Sequence, residues 1–135
     1  MKAMILAAGA GTRLKPLTNK IPKPMLPIVE KPVIEFIIEL LARHEIKEIM
    51  INISHLGWVM QNYLKSGYRY GVKIGYSFEG HFEKGQLVAD PIGSAGGMRR
   101  IQDGSAFFDE TFIVVCGDAV IDFDLKRALD FHNSR

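Results

Sequence analysis

Three short stretches contain residue types whose order suits phosphate chemistry. In the first, Leu6-Ala7-Ala8-Gly9-Ala10-Gly11-Thr12-Arg13-Leu14, an apolar run opens into glycines and ends on a cation. Glycines let backbone N–H groups converge on a phosphate chain, and an arginine adds bidentate charge-assisted hydrogen bonds. The spacing fits neither common cradle: a dinucleotide fingerprint needs glycine where Leu14 stands, and no Gly-Lys-Ser/Thr follows as in a P-loop. Taken alone, an ordinary turn after a strand explains these glycines as well.

The second stretch, Pro22-Lys23-Pro24-Met25-Leu26-Pro27, frames a lysine between prolines. Three prolines argue against helix and central strand and predict an extended backbone, so Lys23 becomes a braced point cation suited to a phosphate whose charge grows during transfer. A solvated lysine on a stiff connection is the plainer alternative. The third, Cys116-Gly117-Asp118, sets a carboxylate just past an apolar run. Magnesium suits such a site, because it takes one or two carboxylates and fills its other positions with water and phosphate oxygens. Asp124 reads better as a helix cap, and Asp122 as a solvated turn residue.

A fourth, weaker feature is Glu79 followed by Pro91-Ile92-Gly93-Ser94-Ala95-Gly96-Gly97. Small residues let a flat base approach the backbone, and an ionised Glu79 would accept from the paired N–H donors of guanine better than from the single donor of uracil. A glycine loop beside a surface glutamate is the alternative.

The elements that would position these residues follow from hydrophobic period. Lys2 to Ala7, Glu48 to Ser54, Val72 to Phe78 and Thr111 to Cys116 read as strands. Val33, Phe36, Ile37, Leu40 and Leu41 share one helical face, with Pro32 in the first turn; Leu56, Val59, Met60, Tyr63 and Leu64 share another, ended by Gly67. Glu79 to Gly93 shows no period and reads as a long loop, followed by a short helix from about Ser94 to Ile101. A last helix begins near Leu125, capped by Asp124, and continues to the end of the chain. Strands alternating with helices predict an α/β fold in three layers, a mainly parallel sheet with helices on both faces, Rossmann-like, with ligands at the carboxyl ends of the strands.

Composition narrows the function. The 135 residues are 47% hydrophobic and 24% charged, as in one globular domain. Seventeen Lys and Arg against fifteen Asp and Glu leave +2, too little and too dispersed for a nucleic-acid surface. The apolar stretch Ala3 to Ala10 is at the short limit for a signal peptide and runs straight into the glycine loop, and no stretch reaches membrane-spanning length. One cysteine, Cys116, and four scattered histidines offer neither a disulfide framework nor zinc-ligand spacing, which suits a reducing cytoplasm.

Together, Leu6 to Leu14, Pro22 to Pro27, Gly93 to Gly97 and Gly117-Asp118 resemble, in order and spacing, the motifs of the sugar-1-phosphate nucleotidyltransferases, also called sugar-nucleotide pyrophosphorylases. The stretches Tyr76 to Glu79 and Val115 to Asp118 resemble cyanobacterial members that use mannose 1-phosphate with GTP or glucose 1-phosphate with UTP. The resemblance implies a nucleotide site lined by Leu6, Ala8, Gly9, Ala10, Gly11, Thr12 and Arg13, with Gly9 to Arg13 on the triphosphate. Arg13 and Lys23 would stabilise the transferring α-phosphate, Glu79 and Gly93 would line the base pocket, and Asp118 would hold magnesium; Arg13, Lys23 and Asp118 are the catalytic candidates. A hexose 1-phosphate is the implied acceptor. In the family the catalytic domain continues past the point matching Arg135, with a second metal-binding aspartate and most sugar contacts, so residues 1–135 are expected to form the N-terminal, nucleotide-binding part. A sheet cut there leaves an unpaired edge and apolar surface, predicting self-association. A transferase, a nucleotide-binding module without catalysis and a purely structural domain are the candidate classes, and the combined motifs disfavour the last.

Overall fold

The computed structural model describes residues 1–135. In chain order the strands and helices are β1 (Lys2–Leu6), β2 (Pro27–Ile28), β3 (Lys31–Pro32), α1 (Val33–Arg43), β4 (Glu48–Ile53), α2 (Gly57–Leu64), β5 (Lys73–Phe78), β6 (Gly80–Glu83), β7 (Gln86–Ala89), α3 (Gly93–Ser105), β8 (Phe112–Cys116) and α4 (Leu125–Asn133). The central sheet has the order β5-β4-β1-β8 and is wholly parallel. The α/β fold expected from the alternation is therefore present.

Register explains the layers. Side chains alternate across a strand, so Ala3, Ile49, Ile74 and Ile113 align in one row and Ile5, Ile51, Tyr76 and Val115 in the next, all on one face. That face carries the main core, closed by Ile34, Ile37, Ile38 and Leu41 of α1, Met60 and Leu64 of α2, and Leu125 of α4. The chain moves outward from β1 to β4 to β5 and then returns to β8 on the far side of β1. Right-handed crossovers require that reversal to carry its helix over the other face. Accordingly α3 lies there: a Cβ on Gly97 would come within 3.1 Å of the Asn52 side chain, and Met4 and Ile101 are buried outside the main cluster. Coverage is uneven, since Val114 and Cys116 on the same face of β8 are exposed.

Several expectations need correction. Glu79 to Gly93 is not a plain loop: β6 and β7 pair antiparallel through Glu83↔Gln86, with Lys84 and Gly85 both at positive φ (49° and 79°). Two left-handed residues are what a two-residue hairpin turn demands. The helix expected over Ser94 to Ile101 runs instead from Gly93 to Ser105. Pro32 precedes α1 as its N-cap, pairing with Pro27 in a small β2–β3 ladder. Asp124 caps α4 as expected, accepting from the Arg127 N–H at 3.0 Å, but α4 ends at Asn133, with Ser134 as its C-cap.

Candidate functional site

All four central strands end on one edge, and there the glycine loop leaves β1. Gly11 has φ +63°, and Thr18 lies directly behind it: a Cβ on Gly11 would stand 2.8 Å from Thr18 Cγ2, and the Thr18 hydroxyl donates to the Gly11 carbonyl at 2.7 Å. Glycine is required twice over, for the left-handed backbone and for the space. A 3-10 turn over Thr12–Leu14 follows and puts Arg13 in solvent at the loop's end.

Lys23 is also on a 3-10 turn, Lys23–Met25, flanked by extended Pro22 and Leu26, so the extended backbone expected for this motif is only partly present. Pro24 stands at the start of the turn, where a missing N–H costs no hydrogen bond. The brace survives in another form, with Met25 N–H donating to the Pro22 carbonyl and Leu26 N–H to the Lys23 carbonyl. Across from it, Gly117 N–H donates to the Leu6 carbonyl at 2.8 Å. A Cβ on Gly117 would lie 3.0 Å from that oxygen, so glycine lets the end of β8 close onto β1. Asp118 is thereby brought to Lys23, whose ammonium donates to Asp118 Oδ2.

These segments enclose an open cavity of about 550 Å³ whose walls include Leu6, Gly9, Ala10, Gly11, Thr12, Arg13, Lys23, Ser94 and Asp118. It sits between β1 and β8, where the strand order reverses, the place an open α/β sheet offers its ligand. Two cations and one carboxylate on a glycine-framed wall can receive a polyphosphate and stabilise charge shifting along it. Asp118 is the acidic residue on this wall, and no group of three or more His, Cys, Asp or Glu is placed to hold a metal by itself. A hard oxygen donor of this kind fits a magnesium ion that draws its other ligands from phosphate and water.

Not every candidate reaches the cavity. Ala8 is buried beneath the loop, and Gly93, at φ +77°, opens α3 beside Ser94 without lining the wall. The expectation for Glu79 is corrected: its side chain is 0% exposed, Oε1 accepts from Asn52 Nδ2 at 2.7 Å, and Oε2 accepts from the Ile92 N–H at 3.0 Å. Both oxygens are engaged inside the protein, and the Glu79 side chain does not line the cavity.

Sequence reasoning missed the polar residues that tie the loops together from the end of β4. Asn52 Oδ1 accepts from the Ala7 N–H at 2.7 Å. Ser54 Oγ donates to the Glu79 carbonyl at 2.6 Å, and His55 Nε2–H donates to the Thr18 carbonyl at 3.2 Å. Asn52 and Ser54 are polar residues two apart at the end of the apolar run that begins at Ile49, and that was the available signal.

A parallel sheet with a cation-bearing glycine loop and an opposed carboxylate at its reversal point defines an α/β protein with an open, charged cavity at the carboxyl ends of its strands. The chain belongs to the nucleotidyl transferase family, whose family model matches residues 2–135. It is 54% identical over 135 residues to a UTP–glucose-1-phosphate uridylyltransferase of Synechocystis, covering 100% of this chain and 35% of that one. It is 38% identical over 127 residues to a D-glycero-alpha-D-manno-heptose 1-phosphate guanylyltransferase of Campylobacter jejuni, covering 94% and 52%. The fold matches a Bacillus anthracis protein assigned as a glucose-1-phosphate thymidylyltransferase, solved with sucrose, at a TM-score of 0.80 and 28% identity, over 99% of this chain and 50% of that one. The resemblance read from the motifs is borne out at the level of the family. The chain spans about a third to a half of the length of these proteins.

Proposed function

We propose that this chain takes part in transferring a nucleotidyl group from a nucleoside triphosphate to a sugar 1-phosphate, with release of pyrophosphate, and forms the nucleotide-binding part of that site. The observation that carries the reading is the Arg13, Lys23 and Asp118 triad of charges on the glycine-framed cavity, in a chain of the nucleotidyl transferase family. UTP with glucose 1-phosphate is the favoured pair, on the 54% identity to the Synechocystis uridylyltransferase. The Campylobacter guanylyltransferase favours a second reading, GTP with a manno-configured sugar 1-phosphate.

In the proposed reaction an oxygen of the sugar phosphate attacks the α-phosphorus in line, that bond forms as the bond to the bridging oxygen breaks, and pyrophosphate leaves with the electron pair. No protein nucleophile is needed. The glycine-loop N–H groups hold the triphosphate, while Arg13 and Lys23 balance the charge that builds on the α-phosphoryl oxygens, which is positioning and electrostatic catalysis. Asp118 would hold magnesium, which would supply charge neutralisation when bound. For Lys23 this means exchanging Asp118 for a phosphate oxygen as substrate enters.

The reading extends to a reducing cytoplasm, where the exposed Cys116 thiol persists, and to self-association through the open edge of β8 beside exposed Val114. Sedimentation is expected to show an oligomer; a monomer at high concentration contradicts that part. The chemistry is tested in reverse. The chain is incubated with pyrophosphate, magnesium and either UDP-glucose or GDP-mannose, and formation of UTP or GTP is the expected result. Formation of neither, with nucleotide still bound, replaces a transferase by a nucleotide-binding module.

A further inference from the structure

The buried pair Asn52 and Glu79 joins two walls that belong to different parts of the chain. Ala7, at the root of the glycine loop, donates its N–H to Asn52 Oδ1 at 2.7 Å. The same amide donates from Nδ2 to Glu79 Oε1 at 2.7 Å, and Glu79 Oε2 accepts from the N–H of Ile92, the N-cap of α3, at 3.0 Å. Neither relay side chain faces water: Asn52 is 3% exposed and Glu79 0%. Gly97 of α3 packs directly against it, since a Cβ there would fall 2.1 Å from Glu79 Oε1.

Burying a carboxylate carries a desolvation cost of several kcal/mol, so the choice of glutamate requires a reason. Both of its oxygens must accept, one from an amide nitrogen and one from a backbone N–H. A carboxylate accepts at both ends, whereas a glutamine would turn its own NH₂ toward one of these donors. The relay therefore transmits position between Ala7, which lines the cavity at the root of the glycine loop, and Ile92, at the entry to α3 whose Ser94 also lines it.

We propose that Asn52 and Glu79 are positioning residues that fix the distance between the glycine loop and the start of α3, so that a ligand bridging both walls binds more tightly than one touching the phosphate wall alone. The inference rests on the reading of the cavity as a nucleotide site. Neither residue touches the nucleotide; each acts through Ala7 or Ile92.

The polarity of the relay supplies its own test. Glu79→Gln and Asn52→Asp each put two like groups face to face. Combined, they reverse the relay intact: Ala7 N–H donates to one aspartate oxygen, the glutamine NH₂ donates to the other, and the glutamine oxygen accepts from Ile92 N–H. Calorimetric titration of the full chain with UTP, GTP and inorganic tripolyphosphate, in the presence of magnesium, compares the original chain with both single variants and the double variant. Each single variant is expected to lose about tenfold or more in affinity for the nucleotide, because the like-polarity contact shifts the two walls and binding must restore their spacing, and less than about threefold for tripolyphosphate. The double variant is expected within about threefold of the original for both ligands. Unchanged nucleotide affinity in Glu79→Gln, equal losses for nucleotide and tripolyphosphate, or a double variant that does not recover would each overturn the proposal. If the single variants fail to fold, the double variant decides alone, since every donor in it faces an acceptor; failure of that variant to fold or bind contradicts the relay. A chain that binds neither nucleotide before any substitution overturns the reading of the cavity, and the proposal with it.

Discussion

Lys23 and Asp118 are hydrogen-bonded ammonium to carboxylate although 95 residues separate them, so a proline-framed turn and the end of an edge strand meet at one point of the cavity wall. Their side chains are 41% and 34% exposed. An ion pair this open to water contributes at most about 1 kcal/mol to stability, and its placement is explained better by the site than by the fold. Lys23→Ala is expected to leave the thermal midpoint nearly unchanged while lowering nucleotidyl transfer by about a hundredfold, the scale of one lost transition-state contact. Parallel melting curves and rate measurements check this; a large fall in melting temperature with a proportionate fall in rate would assign the pair to folding instead.

The two loop glycines separate backbone demand from ligand demand. Gly11 needs a left-handed backbone and has Thr18 behind it, whereas a Cβ on Gly9 would meet nothing within 4 Å. Gly11→Ala should cost about 1–2 kcal/mol of stability through φ strain and contact. Gly9→Ala should melt within about 0.5 kcal/mol of the original chain, as for a surface change away from special features. Any loss of nucleotide affinity in Gly9→Ala then reports the ligand approaching that backbone. Chemical denaturation with nucleotide titration resolves the two effects.

Within α3, Gly97 and Gly104 should respond with opposite signs. A Cβ at Gly97 would collide with Glu79 Oε1 at 2.1 Å, while at Gly104 it meets open space. Gly97→Ala is expected to destabilise by about 1–3 kcal/mol through overpacking. Gly104→Ala should stabilise by about 0.5–1 kcal/mol, because alanine loses less backbone freedom in a helix. Equal responses in urea melts would remove the case for Gly97 as a packing glycine.

Most of the sheet was legible because its strands are short, mainly apolar runs and its helices keep one apolar face, as in Ile37, Leu40 and Leu41 of α1; Ile34 and Ile38, also buried there, were not read. The glycine loop, Lys23 and Asp118 were legible for a different reason: their chemistry is local to short motifs. The β6–β7 hairpin was not, because its turn is Lys84-Gly85, and lysine at positive φ (49°) is no ordinary turn signal. Nor was the true position of Glu79. Its burial depends on Asn52, 27 residues earlier, and on a helix start 13 residues later, contacts that no periodicity encodes.

Alkaline stability should depend on two tyrosines. Burial pushes the Tyr70 and Tyr76 phenols up to about 12 from an ordinary 10.0, with the Arg69 hydrogen bond to Tyr70 acting in the opposite direction. A raised phenol favours the folded state while it keeps its proton, so this contribution is complete below pH 10 and is lost as pH rises from 10 to 12. Tyr76 also donates to the Lys65 carbonyl at 2.6 Å. Tyr76→Phe should lose about 1 kcal/mol near neutrality and show a shallower decline in that alkaline window, read from denaturation midpoints across pH.

Nucleotidyl transfer is proposed at the cavity shared by Arg13, Lys23 and Asp118. The most direct measurement is pyrophosphate release by the chain with magnesium, screening UTP and GTP against glucose 1-phosphate and mannose 1-phosphate, beside an Asp118→Ala control. Release that needs one nucleotide–sugar pair and is abolished in the control is the predicted result. Release from no pair, or release that survives the loss of Asp118, would contradict the account.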